Sequence, residues 1–143
     1  MKLLYLLFLV VFVPQPVSAE VDTDAWIGLW IGEGQIGDFP DFGTFSLGDD
    51  YIMISSFDGS SFEVSGQTHY GVKRYGDVGG RGVVSDKTMT IGGLNCTVRL
   101  EKIQQKTYPS NQDYLLAESD SDCGSMYAKF EGKYYRFKNS ERR

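Results

Sequence analysis

From Leu94 to Glu101 the side chains alternate, with Leu94, Cys96, Val98 and Leu100 set against Asn95, Thr97, Arg99 and Glu101. A period of two marks a strand with one face in a core and the other in water. The same alternation recurs near the C-terminus. There Met126, Ala128, Phe130, Gly132 and Tyr134 share one side, and Lys129, Glu131 and Lys133 the other. Phe62, Val64 and Tyr70 likewise oppose Glu63, Gln67 and His69. One buried and one wet face per strand is the pattern of antiparallel pairing.

Extending this reading predicts strands over residues 26–35, 42–47, 51–57, 62–70, 88–91, 94–105, 114–118 and 126–137. The stretches "GDFPDFG", "GDD", "DGSS", "YPSNQD" and "SDSDCG" carry the Gly, Pro, Asp and Asn that turns require. The glycine-rich "GVKRYGDVGGRG", residues 71–82, is expected to be a loop between short strands. No long amphipathic helix, internal repeat or second domain is visible. The expectation is an all-β domain, either a two-sheet sandwich or a small antiparallel barrel of about eight strands, the barrel being preferred because closing the sheet removes its unpaired edges.

Residues 1–19 stand apart from that pattern. Lys2 precedes an apolar run from Leu3 to Val13, Pro14 and Pro16 break it, and Val17-Ser18-Ala19 has small-residue cleavage spacing. The run is shorter than the roughly 18 apolar residues that span a bilayer. A cleaved secretory signal is therefore expected, with residues 20–143 forming one domain and no membrane insertion after cleavage. A periplasmic or secreted location follows. In such a compartment an even pair, Cys96 and Cys123, is expected to form a disulfide, the alternative being two buried free thiols.

Charge narrows the partners. The chain carries 14 Lys and Arg against 19 Asp and Glu, a net charge of −5, and loss of Lys2 makes it more acidic still. Phosphate-rich partners would be repelled, so no nucleic acid is expected and a basic exported protein suits better.

Candidate chemistry is sparse. "GEGQIG" at residues 32–37 fits a dinucleotide-type glycine spacing, but "DFPDFG" follows where a helix must begin. It reads as a glycine-rich strand end. His69, the sole histidine, is placed by parity on the wet face beside Gln67 and is expected to be an exposed surface residue. "ESDSD", with Glu118, Asp120 and Asp122, lacks calcium-loop spacing and reads as a solvated acidic loop. Asn95 opens a formal Asn-Cys-Thr glycosylation sequon, which matters only in a eukaryotic host. No nucleophile elbow or zinc-protease pair is present, so the chain is read as non-enzymatic, with no cofactor and no metal.

Nine Phe, nine Tyr and two Trp make the chain aromatic, and most are expected to fill the barrel. Two clusters fall on turns or loops instead: Asp38, Phe39, Asp41 and Phe42 around Pro40, and Tyr70, Lys73, Arg74 and Tyr75. Loops on a rigid scaffold commonly carry recognition, and Tyr and Arg are favoured at binding hot spots. These eight residues are the partner-binding candidates.

"DAWIGLWIGEG", with Gly28 and Trp30, resembles the Gly-x-Trp first strand of lipocalin-like and avidin-like barrels. The C-terminal third is similar to a group of uncharacterised exported bacterial barrel proteins. Their Cys-x-Leu/Val strand, Cys-Gly loop and Phe-x-Gly-x-Tyr-x-Arg last strand correspond here to Cys96 to Val98, Cys123-Gly124 and Phe130 to Arg136. The resemblance implies a lipocalin-like barrel in which Trp30, Phe130, Tyr134 and Arg136 serve closure. Periplasmic lysozyme inhibitors are similar in type. The expected function is an inhibitor or immunity-type protein for a basic exported enzyme such as a lysozyme-like hydrolase; the alternative is a lipocalin-like carrier of a small apolar ligand.

Overall fold

Strand alternation and closure together determine the architecture. A computed structural model describes residues 13–14, 20–33, 50–70, 74–106 and 113–137. Its strands are β1 (Gly28–Gly32), β2 (Tyr51–Phe57), β3 (Phe62–Tyr70), β4 (Arg74–Ser85), β5 (Thr88–Gly92), β6 (Thr97–Ile103), β7 (Tyr114–Ser119) and β8 (Glu131–Arg136). Each pairs antiparallel with the next, and β8 returns to β1, closing an eight-stranded barrel. Among the described residues there is no helix. The predicted strand at 42–47, and the signal apart from residues 13 and 14, lie outside the described residues.

β2 and β3 coincide with the strands predicted from alternation, and β5 and β7 differ by one residue. Five expectations are corrected. First, residues 71–82 are not a loop: Arg74 to Gly82 belong to β4, the longest strand. Inward positions Gly76, Val78 and Gly82 are buried while Tyr75, Asp77 and Arg81 are exposed. The inward glycines are needed because neighbours crowd in, backbone at Gly76 and Gly80 and a larger side chain at Gly82. A Cβ on Gly82 would lie 2.5 Å from Met89 Sδ. Second, β1 starts at Gly28, since Trp26 belongs to a turn in which its N–H donates to Thr23 O at 3.1 Å.

Third, β6 starts at Thr97, and Leu94, expected inside, is fully exposed. A tight turn, Gly93 N to Cys96 O at 3.0 Å, ends the alternation before Cys96. Fourth, β8 starts at Glu131, so Met126 is exposed in the connection from β7. Fifth, Tyr70, expected inside, is exposed where β3 leaves the barrel. Alternation predicts burial only while the ladder continues on both sides.

The interior is one contiguous cluster. Trp30, Tyr134, Phe62 and Phe130 are its largest members, joined by Ile52, Ile54, Met89, Ile91, Val98, Leu100 and Leu115. At the base, Trp30 Nε1 donates to Trp26 O at 3.0 Å. The Arg136 guanidinium lies 4.6 Å over the Trp30 ring. It also donates to the carbonyls of Asp24, Ala25 and Ile27 at 2.7–3.1 Å. A planar fork meeting several carbonyls and an aromatic face is geometry that lysine cannot supply. Trp30 and Arg136 face each other in register across the β1–β8 seam.

The outer face is not uniformly wet. Ile31 is paired with Tyr51 on one side and Tyr135 on the other, and Tyr135 with Tyr114, making an outward row across four strands. Ile31 and Tyr135 are only 1% and 6% exposed. Burial, and then the Glu33 carboxylate that accepts its hydroxyl at 3.2 Å, push Tyr135 up to about 12. The β2–β3 turn is held by Asp58, which accepts from Ser60 N and Ser61 N at 2.9 and 2.8 Å. Those bonds hold its carboxyl well below its usual value of 3.8.

Cys96 and Cys123 form a disulfide that ties the β5–β6 turn to the β7–β8 connection. Replacing both with alanine should leave the barrel intact and lower its stability by about 3 kcal/mol, from the loop-closure entropy returned to the unfolded chain. Urea denaturation followed by circular dichroism measures this. A second outcome concerns alkaline pH. Between the ordinary tyrosine value of 10.0 and about 12, the folded chain keeps a proton on Tyr135 that the unfolded chain has released. Stability should therefore fall as pH rises through that window. Tyr135→Phe should flatten this part of the profile in pH-resolved thermal melts.

Candidate functional site

The end of the barrel opposite Arg136 carries the β5–β6 turn and the β7–β8 connection, residues 120–130. Gly76 lets that connection dock on β4. A Cβ there would sit 2.8 Å from Cys123 O, and the two backbones form an isolated bridge between Gly76 and Gly124. Asp77 N donates to Cys123 O at 2.8 Å and Ser125 N to Tyr75 O at 3.1 Å. The disulfide anchors the same segment from the other side.

This docking brings Tyr127 beside β3 and β4. Tyr70 pairs in register with Arg74, and the Tyr70 and Tyr127 rings are 5.5 Å apart at a 47° tilt. The Arg74 guanidinium stands 5.5 Å over the Tyr127 ring. All three side chains are exposed, as is neighbouring Met126. Tyr75 is exposed too, but strand alternation places it on the face of β4 opposite Arg74.

The backbone at Tyr127 is unusual. Its φ is +68°, at the third position of a turn closed by Ala128 N to Ser125 O at 3.0 Å. That position with positive φ is ordinarily left to Gly or Asn, and a side chain there costs about 1–2 kcal/mol. Asp86 also has positive φ, at +57°, but it sits in the two-residue β4–β5 hairpin where Asp is common. Strain at a bulky, solvent-facing tyrosine points to a role outside the fold.

Beneath this surface lies a polar cluster. Asp50, just before β2, accepts from His69 N at 2.8 Å through Oδ1, which also lies 2.9 Å from His69 Nδ1. Thr68 Oγ1 is 3.1 Å from Asp50 Oδ2 and 2.9 Å from Lys129 O. The Tyr134 hydroxyl is buried nearby and makes no hydrogen bond of normal geometry among the described residues. Burial first, and then the Asp50 carboxylate, push it far above the usual tyrosine value, with only the Thr68 hydroxyl pulling the other way. His69, expected to be an exposed surface residue, is thus half-buried against a carboxylate. The Thr68 hydroxyl faces Asp50 and Lys129 rather than the imidazole, so it is not placed as a nucleophile for that base.

Of the partner-binding candidates, Tyr70 and Arg74 come together, while Tyr75 is exposed on the other face of β4. Asp38, Phe39, Asp41, Phe42 and Lys73 lie outside the described residues. Trp30 and Arg136 meet at the base. Phe130 and Tyr134 are buried inside, their ring centroids 6.4 Å apart. In the acidic stretch, Asp120 accepts from Thr97 N at 2.8 Å and from Ser121 Oγ at 3.1 Å, which fastens the connection to β6. Among the described residues no group of three His, Cys, Asp or Glu could hold a metal. Sequence reasoning missed Met126 and Tyr127, which alternation had absorbed into the last strand, and Asp50, which meets His69 across 19 residues of chain.

Compared with family models, curated proteins and solved structures, the chain matches none.

Tyr127→Gly separates its two contributions. Glycine removes about 1–2 kcal/mol of backbone strain and gives up an exposed cation–π contact of about 0.5–1 kcal/mol. Thermal unfolding should show a melting temperature unchanged or raised. A clear drop would mean that the ring stabilises the fold.

Proposed function

We propose that the chain is an exported, non-catalytic binding protein whose surface at Tyr70, Arg74 and Tyr127 docks onto a basic exported protein, as an inhibitor or immunity-type protein of a lysozyme-like hydrolase would. The observation that carries this is Tyr127, held in a left-handed conformation and presented to solvent against Tyr70 and Arg74. Rigid aromatic anchors with an arginine are the chemistry of interface hot spots. The acidic chain favours a cationic partner, because opposite charge speeds encounter while desolvated anchors slow release. The disulfide suits an oxidising compartment, which agrees with a secretory signal at residues 1–19 and with periplasmic or secreted placement.

The carrier reading asks for a hollow barrel. Phe62, Phe130, Tyr134 and Trp30 converge on the interior with almost no solvent contact, which supports a filled cylinder and the docking reading.

The test uses a cationic lysozyme as probe, with binding measured by biolayer interferometry and inhibition by cell-wall clearing. The expected result is saturable binding that weakens with salt through its association rate. A Tyr70→Ala, Tyr127→Ala double variant should lose roughly 30-fold or more in affinity, the size expected of a hot spot. Equal binding by that variant, or saturable and displaceable uptake of a fluorescent fatty acid without lysozyme binding, would overturn the proposal.

A further inference from the structure

The two tyrosines of the exposed surface come from segments far apart in sequence, and the polar cluster beneath them joins those segments. Tyr70 follows His69 directly, and both the His69 backbone N–H and its ring reach Asp50 Oδ1. Tyr127 lies two residues before Lys129, whose carbonyl oxygen is 2.9 Å from Thr68 Oγ1. Asp50 itself is fastened to β1, its carbonyl accepting from Gly32 N at 2.8 Å. There is little slack here, for a Cβ on Gly32 would lie 3.0 Å from Asp50 Cβ and 3.1 Å from Tyr134 Cε1. Thus β1, the start of β2, the end of β3 and the β7–β8 connection meet within a few hydrogen bonds of one carboxylate.

We propose that Asp50 and Thr68 form a latch that sets the pairing of Tyr70 with Tyr127, making them positioning residues for the docking surface rather than contacts of its partner. The consequence for affinity rests on the docking reading above; the latch itself rests on geometry alone. Thr68 is the hinge of the arrangement. A hydroxyl has one proton to donate, and two acceptors, Asp50 Oδ2 and Lys129 O, lie within reach of it. Donation to Lys129 holds the connection against β3, whereas donation to Asp50 holds β3 against the start of β2. Thr68 itself is 1% exposed, so its buried hydroxyl needs one of these two part-buried acceptors as its partner.

Solution NMR on the mature chain tests this without a partner. The wild type should show a cross-relaxation contact between the Tyr70 and Tyr127 rings and slow exchange of the His69 amide. Thr68→Val, which keeps the shape and removes the hydroxyl, and Asp50→Ala, which removes both carboxylate oxygens, should each lose the ring contact while the β5 and β6 amide resonances stay in place. Thr68→Ser should restore it. Affinity for the cationic lysozyme should fall about tenfold in Thr68→Val and recover in Thr68→Ser, as for an interface anchor moved out of place. Loss of the ring contact with no lysozyme binding by any form would support the latch and count against the proposed partner alone. A ring contact that survives in either folded variant would overturn the latch. So would a Thr68→Val chain that fails to fold, since the hydroxyl would then serve the core.

Discussion

Closure of the sheet at the β1–β8 seam is the constraint on which the rest of this protein depends. Until Trp30 faces Arg136 across that seam, the chain is an open ribbon with two exposed edges and no inside. Closure creates the interior, and the interior then demands large side chains from some strands and glycine from others. The Arg136 guanidinium makes closure specific. It binds three carbonyls of the N-terminal turn and covers the Trp30 ring at once, so the first and last parts of the fold are locked by one side chain.

With the base committed to stability, the opposite end is where this barrel can vary. Its β7–β8 connection does not take the shortest route between strands. It runs to the disulfide, crosses to β4 at Gly76, and passes through a turn that strains Tyr127. Each restraint acts on backbone or on Cys123, leaving the side chains of Met126 and Tyr127 in solvent. A connection held this firmly keeps exposed aromatic side chains in fixed places, at a cost in backbone strain that the core and disulfide offset.

The legibility of these features in the sequence was uneven, for physical reasons. β2 and β3 could be delimited to the residue because "GDD" and "DGSS" bracket short strand-forming runs, even though β2 shifts register between Ile54 and Ser56. β4 was hidden although its alternation is intact, because glycine serves a turn and a crowded strand equally well. Only the large side chains brought from other strands, such as Met89 against Gly82, distinguish the two. At Leu94 and Met126 alternation misled, since each belongs to a turn or connection outside the ladder. Tyr70 and Arg74 could be picked out by type and neighbourhood. Tyr127 and Asp50 could not, because their partners lie far along the chain.

Local pattern alone therefore determined that this protein is built of antiparallel strands, since period-two burial is a property of short segments, whereas closure of the barrel and the Cys96–Cys123 crosslink belong to what joins them. What joins the segments was decided only in three dimensions. The strand register sets Arg136 over Trp30, the disulfide and the Gly76–Gly124 bridge swing Tyr127 onto Tyr70, and Asp50 finds His69. Those contacts depend on how a closed cylinder is sheared and capped, and no single stretch of residues encodes that.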